Sequence, residues 1–119
     1  MATIRPFKGF RPTPELCSKV AALPYDVMTS KEAREMVKND PYSFLHVDRA
    51  EIDLPENVDI YSKEVYEKAA SNLNKMIEDK VLIQDSKPVF YIYSLTMNGR
   101  EQIGLVVCTS IDEYLNNTI

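Results

Sequence analysis

The sequence is poor in the residues on which several common kinds of active site depend. It has three glycines, one histidine, two cysteines and no tryptophan among 119 residues. Three scattered glycines cannot form the loops that hold nucleotide phosphates in the common phosphate-binding motifs. One histidine and two cysteines are too few for a cysteine and histidine zinc site, and no serine nucleophile elbow accompanies the histidine. These absences argue against the phosphate-loop, zinc-finger and serine-hydrolase classes within this chain.

Long apolar runs and an excess of positive charge are also missing. The longest apolar segment, Leu105–Cys108, is far too short to span a bilayer, and the N-terminus has no apolar run. The net charge of -4 and the pI of about 5.0 argue against nucleic-acid binding, because neutralisation of phosphates dominates that affinity. Cys17 and Cys108 are far apart and unaccompanied, so we expect reduced core thiols. The sequence therefore predicts a cytoplasmic protein with neither a membrane nor a nucleic acid as partner.

Capping residues and the spacing of apolar positions indicate two helices. Thr29 is followed three residues later by Glu32, which is a capping-box pattern, and Pro41 lies beyond the expected end. We therefore predict a short helix near residues 30–39. A longer stretch repeats apolar residues at helical spacing: Val65, Tyr66, Ala69, Leu73, Met76 and Ile77. This pattern predicts an amphipathic helix near residues 60–79.

The dipeptide Asn98-Gly99 predicts a β-hairpin near the C-terminus. It supplies the two positive φ angles of a type I′ turn, and it would place Met97 opposite Arg100 and Tyr93 opposite Gly104. Both faces of this hairpin are apolar. One carries Phe90, Ile92, Ile103, Leu105 and Val107, and the other carries Val89, Tyr91, Tyr93, Val106 and Cys108. The helices can cover one face, and we expect a partner on the other, because monomers rarely expose a large contiguous apolar surface.

The segment between Pro41 and Pro55 combines an apolar alternation with a run of ionisable side chains. The alternation predicts a strand, on which His46 would share a face with Asp48, and Glu51 with Asp53. Such a set could hold a hard divalent cation or transfer protons. The simpler interpretation, which we favour, is a hydrogen-bonded core histidine followed by the solvated end of a strand. Arg49 is expected to pair with a carboxylate or to hold a substrate anion.

A second candidate site is the turn at Pro24-Tyr25-Asp26. Proline fixes the backbone, and the turn presents a phenol and a carboxylate on a loop, where binding residues are often found. The structural alternative is that Asp26 caps the turn and Tyr25 fills the core. The substrate-binding candidates of the whole chain are Tyr25, Asp26, His46, Arg49, Glu51 and Asp53. The pattern identifies no metal ligand set that we would assign, no catalytic residue and no cofactor.

These signals together predict a single α+β domain over residues 1–119. Its sheet is expected to be mixed, mostly antiparallel and about five strands wide. Besides the hairpin, we expect strands at Lys19–Leu23 and Val81–Gln84, and an edge strand or extended arm over Ile4–Arg11.

Several ordered blocks resemble the start of the prokaryotic family catalogued as domain of unknown function 1015. The blocks are Arg5–Pro12, Val20–Val27, Ser30–Arg34, Asn39–Val47, Arg49–Pro55 and Gln102–Leu105. The resemblance implies that the chain is the N-terminal part of a longer cytosolic protein. The most enzyme-like block of the family, an Asp-Gly-His-His-Arg segment, has no match in this chain. That block is similar to the phosphate-contacting motif of the ParB and sulfiredoxin superfamily, some of whose members bind or use nucleotides.

We therefore expect the substrate- or nucleotide-binding N-terminal half of an enzyme whose reaction is unassigned. In that case Asp26 and Glu51 should approach one another and line a shared cleft. The alternative, from a different class, is a non-catalytic protein-interaction or oligomerisation module that uses the apolar hairpin face. Its partner would be the rest of its own longer chain or a second copy.

Overall fold

Helices and antiparallel strands make up the fold, which confirms the predicted α+β class. The computed structural model describes residues 2–117. Its elements are β1 (Ile4–Arg5), β2 (Phe10–Pro12), α1 (Cys17–Val20), α2 (Ser30–Met36), α3 (Leu45–Asp48), α4 (Lys63–Glu78), β3 (Leu82–Gln84), β4 (Tyr91–Met97), β5 (Arg100–Val106), β6 (Cys108–Thr109) and α5 (Ile111–Leu115). Two 3-10 turns, Tyr25–Val27 and Ala50–Asp53, lie between these elements.

The six strands of the described residues form three two-stranded sheets. β1 pairs with β6, β2 with β3, and β4 with β5. The sequence predicted about five strands in one sheet. The strands form separate pairs, and the segment that was expected to supply a central strand is helical and joins none of them.

The residues group into two compact units. The larger unit, Arg11–Ile83, is continuous in sequence and contains α1 to α4. The smaller unit is formed by described residues 2–10 and 84–117, and it contains β1, β4, β5, β6 and α5. The chain passes from one unit to the other within β2 and again within β3.

The segment between Pro41 and Pro55 consists of α3 and a 3-10 turn, so the predicted strand is wrong. Ser43 Oγ accepts a hydrogen bond from the Leu45 N–H at 3.2 Å, and this local bond favours a helical turn over an extended strand. Leu45 is 2% exposed and packs with three other buried residues in one core cluster of the larger unit. These three are Ala33, Val37 and Ile52.

The strand predicted at Lys19–Leu23 is also wrong. The Leu16 carbonyl accepts bonds from the N–H groups of Lys19 and Val20, so this apolar run forms the single helical turn α1. Val20 is buried there and forms the other core cluster with Met76, Val81 and Leu82. Both cysteines are free thiols, as predicted, but both are exposed and not in the core.

The capping box predicted for α2 is confirmed. Thr29 Oγ1 accepts from the Glu32 N–H, and Glu32 Oε1 accepts from the Thr29 N–H, both at 3.2 Å. The helix ends at Met36, three residues before the predicted end at residue 39. Pro41 disfavours helical geometry at the residue before it, and the chain turns between Val37 and Asp40.

Helix α4 begins and ends with identifiable local bonds. Asp59 Oδ1 accepts from the Tyr61 N–H at 3.0 Å, and this turn explains why the helix begins at Lys63 and not near residue 60. At the other end Lys80 has a φ of 59°, and the Val81 N–H donates to the Met76 carbonyl at 2.9 Å. This is a Schellman motif, which brings Val81 back against Met76.

The predicted hairpin of β4 and β5 is confirmed, including its register. Asn98 and Gly99 have φ angles of 54° and 77°, as a type I′ turn requires. Met97 lies opposite Arg100 and Tyr93 opposite Gly104. Many of its large apolar side chains remain half or more exposed, among them Ile92 at 71% and Ile103 at 68%.

Tyr91 fixes the N-terminal arm within the smaller unit. Its hydroxyl donates to the Asp85 carboxylate and accepts from the Gly9 N–H at 2.7 Å. Its ring lies 4.9 Å from the ring of Phe7, and Phe7 exchanges two backbone hydrogen bonds with Val89. A Cβ at Gly9 would lie 2.7 Å from the Tyr91 hydroxyl oxygen, so any larger residue would force the tyrosine to shift.

Replacing Gly9 by alanine should reduce the free energy of unfolding by about 1–3 kcal/mol, because the new methyl group overlaps a tyrosine held by two hydrogen bonds. Urea unfolding monitored by circular dichroism measures this loss. Gly104→Ala is the matched control, since an added Cβ there meets no atom within 4 Å. Equal losses for the two variants would contradict the steric explanation.

Candidate binding cleft

His46 is held in a fixed orientation by acceptors on both sides of its ring. Nδ1 lies 2.9 Å from both carboxylate oxygens of Asp53, and Nε2 lies 3.0 Å from the Asp40 carbonyl oxygen. Because the Asp40 carbonyl oxygen can only accept, Nε2 is the donor of that bond. The side chain is 16% exposed. Both ring nitrogens are therefore engaged within the chain, and the imidazole is held in one orientation.

Asn72 completes the cluster from helix α4. Its Nδ2 amide donates to the His46 carbonyl oxygen at 2.7 Å and to Asp53 Oδ2 at 2.9 Å. Sequence reasoning missed this residue, although a signal was present. Asn72 is a polar residue in the apolar row formed by Val65, Ala69 and Met76, whose spacing places all four on one side of the helix.

Replacing Asn72 by alanine should reduce the free energy of unfolding by about 1–3 kcal/mol, because the His46 carbonyl and the Asp53 carboxylate each lose a donor. Asn74→Ala, on an exposed position of the same helix, is the control and should change stability by no more than about 0.5 kcal/mol. Thermal and urea unfolding of both variants give the comparison. Equal stability losses for the two variants would show that Asn72 does not stabilise the 3-10 turn that contains Asp53.

This cluster borders a cleft of about 380 Å³. Its apolar lining is Tyr42, Met76 and Val81, with Pro41 beside them, and its polar lining is His46, Asp53, Asn72, Lys75 and Asp79. Asn72 and Lys75 lie on α4, and Asp79 directly follows its last residue, so the end of one helix supplies three polar groups to the cleft. The Schellman motif at Lys80 places Val81 and Met76 on the same lining. Space of this size with a few convergent polar groups is typical of small-molecule sites.

A second cleft of about 460 Å³ borders the same histidine and aspartate. Its lining includes Arg34, Lys38, Asn39 and Ile52, and it shares Pro41, His46 and Asp53 with the first. The Arg34 guanidinium is engaged, since Nη2 donates to the carbonyls of Glu51 and Leu54 at 2.9 and 3.0 Å. The His46–Asp53 pair therefore belongs to the lining of both clefts.

Arg49 and Glu51 form a separate, largely buried ion pair. Arg49 Nε donates to Glu51 Oε1 at 2.7 Å, and the side chains are 16% and 7% exposed. Arg49 Nη1 donates to the carbonyls of Tyr25 and Met28, and Nη2 donates to Ser30 Oγ. Ser30 Oγ in turn donates to Glu51 Oε1 at 2.8 Å. The Arg49 guanidinium thus connects the 25–30 segment, through hydrogen bonds, to the turn that contains Glu51.

The ionised form of Glu51 is favoured despite its burial. Burial by itself raises the pKa of a carboxyl group, but several interactions act against it. Bonds from the Ser30 hydroxyl, from the Glu51 backbone N–H and from Arg49, together with the Arg49 charge, hold the pKa of Glu51 below its ordinary value. Glu51 is therefore charged inside the fold, and Ser30, Arg49 and its own backbone N–H offset the cost of burying that charge.

The predicted site residues are divided between two neighbouring parts of the larger unit. His46 and Asp53 line the clefts, whereas Arg49 and Glu51 are engaged with one another and with the backbone. The predicted pairing of His46 with Asp48 and of Glu51 with Asp53 is wrong, since it assumed a strand. Tyr25 and Asp26 lie on an exposed 3-10 turn, and the Arg49 bond to the Tyr25 carbonyl brings this turn to the Glu51 pair.

Two further findings concern metal-ligand groups and membrane-spanning helices among the described residues. Among residues 2–117, no three histidine, cysteine, aspartate or glutamate side chains are grouped so that they could hold a metal ion. Within the same residues, no helix has both the length and the apolar character needed to cross a membrane.

The described residues form an α+β fold with two compact units, the larger of which carries a cleft around a fixed histidine, aspartate and asparagine. The chain belongs to the family described as Protein of unknown function (DUF1015), whose model matches residues 4–119. The resemblance noted in the sequence is thereby confirmed over essentially the whole chain. No curated protein and no solved structure gave a significant match.

Proposed function

We propose that this chain forms the substrate- or nucleotide-binding part of an enzyme, and that the ligand occupies the His46 cleft. The observation that carries the proposal is the convergence of residues from three chain segments on that cleft. His46 lies on α3 and Asp53 at the end of the 3-10 turn that follows it, Asn72 and Lys75 lie on α4, and Val81 lies in the segment after α4. Hydrogen bonds among His46, Asp53 and Asn72 hold this part of the lining before a ligand binds, which lowers the ordering cost of binding.

The chemical character of the lining favours a nucleotide among small ligands. Tyr42, Met76 and Val81 offer an aromatic and apolar surface suited to a planar base. Lys75 has an exposed ammonium group that suits a phosphate, and Asp79 offers an acceptor for ring or ribose donors. The mixed charges of Lys75 and Asp79 make the cleft better suited to a ligand with both donors and acceptors than to a bare anion.

A thermal-shift screen on the whole chain tests this proposal. Adenine and guanine nucleotides, with and without magnesium, are added at millimolar concentration. A nucleotide present at a hundredfold excess over its dissociation constant should stabilise the fold by roughly 2.7 kcal/mol. For a protein of this size, that stabilisation corresponds to a rise in Tm of about 10 °C or more.

Two lysine variants locate the binding. Lys75→Gln should weaken nucleotide binding about tenfold in calorimetry, since it removes the cation from the cleft. Lys63→Gln, three turns earlier on the same helix and 89% exposed, is the matched control and should bind normally. The proposal fails if no nucleotide shifts Tm, or if Lys75→Gln binds as tightly as the natural sequence.

The Tyr25-Asp26 turn is a second part of the proposed binding surface. Its support is the Arg49 bond to the Tyr25 carbonyl, which fixes a turn whose side chains remain exposed. Asp26→Asn leaves the backbone bond in place and removes only the charge. Unchanged nucleotide affinity in this variant would remove Asp26 from the proposal while leaving the His46 cleft in it.

A further inference from the structure

The second cleft beside the His46–Asp53 pair contains cationic side chains that have no role in the His46 cleft. We call it the Arg34 cleft, and besides the shared Pro41, His46 and Asp53 its lining consists of Arg34, Val37, Lys38, Asn39 and Ile52. Helix α2 supplies Arg34, and the turn after that helix supplies Lys38 and Asn39. A volume of about 460 Å³ leaves room for a small ligand.

Arg34 is fixed in place, but no carboxylate neutralises its charge. Nη2 donates to the Glu51 and Leu54 carbonyls at 2.9 and 3.0 Å, and Nε donates to the Ile52 carbonyl at 3.4 Å. Nη1 donates to no group in residues 2–117, and the guanidinium forms no ion pair with any of them. A half-buried arginine held in this way has preformed donors left for an anion.

Lys38 and Asn39 add further donors to the Arg34 cleft. Both side chains are exposed, and neither forms a hydrogen bond or an ion pair within the part of the chain that the structure describes. The ammonium group of Lys38 can only donate, and so can Nη1 of Arg34, whereas the Asn39 amide both donates and accepts. A lining that is rich in free donors suits a ligand whose exposed atoms are acceptors.

The balance of charge in the Arg34 cleft differs from that of the whole chain. The chain has a net charge of -4, whereas this lining has two cations, Arg34 and Lys38, against the single carboxylate of Asp53. Both Asp53 oxygens lie 2.9 Å from His46 Nδ1, and Oδ2 also accepts from Asn72, so this carboxylate has its own partners. The excess of positive charge favours an anion in this cleft.

A phosphate group matches these donors better than a carboxylate group does. A phosphate monoester has a charge of about -1.5 to -2 at neutral pH and three strong acceptor oxygens, whereas a carboxylate has one charge and two oxygens. We propose that the Arg34 cleft binds the phosphate group of a small phosphorylated ligand, with Arg34 Nη1 and Lys38 on the oxyanion and Asn39 as a further donor. This subsite does not require a nucleotide base in the His46 cleft.

Calorimetric titration of the whole chain with inorganic pyrophosphate, in buffer without magnesium, tests the subsite. We expect binding at one site with a dissociation constant below about 1 mM. Lys38→Gln should weaken binding about tenfold, because it removes one of the two cations. Lys31→Gln is the matched control, since Lys31 is an exposed lysine of α2 that lines neither cleft, and it should change the dissociation constant by less than about twofold.

Two further variants test the other donors. Arg34→Gln should also weaken pyrophosphate binding about tenfold, but it removes bonds to backbone carbonyls, so circular dichroism must show that the variant folds. Asn39→Ala, whose side chain has no partner among the described residues, should weaken binding about threefold. No binding at pyrophosphate concentrations up to roughly 10 mM would overturn the proposal, and so would equal weakening by Lys31→Gln and Lys38→Gln.

Adenosine and Lys75→Gln distinguish this subsite from the proposed nucleotide site. Adenosine has no phosphate, so its binding without any pyrophosphate binding would favour the His46 cleft and overturn the phosphate subsite. Pyrophosphate binding that is lost in Lys75→Gln but retained in Lys38→Gln would place the anion in the His46 cleft, and it too would overturn the subsite. Pyrophosphate binding that depends on Lys38, without adenosine binding, would support the subsite and count against the nucleotide site.

Discussion

Replacing Arg49 by alanine should reduce the free energy of unfolding by about 3–5 kcal/mol, the largest loss that we expect from a single charged residue of this chain. The variant leaves Glu51 charged and buried without its cation. It also removes the donors that satisfy the carbonyls of Tyr25 and Met28. Chemical unfolding gives the loss, and hydrogen exchange should show faster opening of the 25–30 segment.

Arg49→Lys separates the geometry of Arg49 from its charge, and Lys63→Ala is the control for an exposed ion pair. Arg49→Lys keeps the charge but lacks the planar fork that reaches four acceptors, so it should lose about half as much stability as the alanine variant. Lys63→Ala breaks the exposed pair with Glu67, whose side chains are 89% and 66% exposed, and should change stability by less than about 1 kcal/mol. A loss of stability below about 1 kcal/mol in Arg49→Ala would show that the buried Arg49–Glu51 pair does not stabilise the 25–30 segment.

The lowered pKa of Glu51 gives this pair a defined pH dependence. A carboxyl group whose pKa is lower in the folded than in the unfolded chain adds stability that is fully present above its ordinary pKa. That contribution is lost as the pH falls through the lowered pKa. Unfolding measured between neutral and acidic pH should therefore show a steeper acid loss for the natural sequence than for Glu51→Gln, and parallel curves would contradict this assignment.

Replacing Leu45 by alanine should reduce the free energy of unfolding by about 3–4 kcal/mol. Leu45 is the largest side chain among those that are almost fully buried, and it contacts Ala33, Val37 and Ile52. The truncation leaves a cavity beside α3, which also carries His46. Guanidinium unfolding of the variant measures the loss.

Leu115→Ala is the control for this core substitution. It makes the same chemical change in a helix, but at a position that is 68% exposed, and it should alter stability by no more than about 0.5 kcal/mol. A loss below about 1.5 kcal/mol on Leu45→Ala would mean that the surroundings collapse into the cavity, contrary to the tight packing expected of a core.

Features that are encoded within a few residues could be predicted from the sequence. The type I′ turn at Asn98-Gly99 sets its own register, and the capping box of Thr29 and Glu32 sets the start of its helix. The segment from Pro41 to Pro55 could not be predicted in this way. Its alternation fits a strand, but a side-chain bond from Ser43 and burial of Leu45 against α2 favour helical turns.

The candidate site was only partly predictable for the same reason. His46 and Asp53 could be chosen as ionisable residues in one segment, but their pairing depends on the helical path between them. Asn72 is distant in sequence, and only its position in an apolar row indicated it. The bonds from Arg49 to the carbonyls of Tyr25 and Met28 have no sequence signature, since any residue supplies a carbonyl.

The division of the chain into a continuous unit and an interrupted one has a consequence for the order of folding. The larger unit, residues 11–83, is continuous in sequence, so the contacts within it can form as soon as these residues have been synthesised. The smaller unit must wait, since Ile4 pairs with Thr109 across more than a hundred residues. During synthesis the N-terminal arm is therefore left without its strand partners until the last part of this sequence emerges from the ribosome.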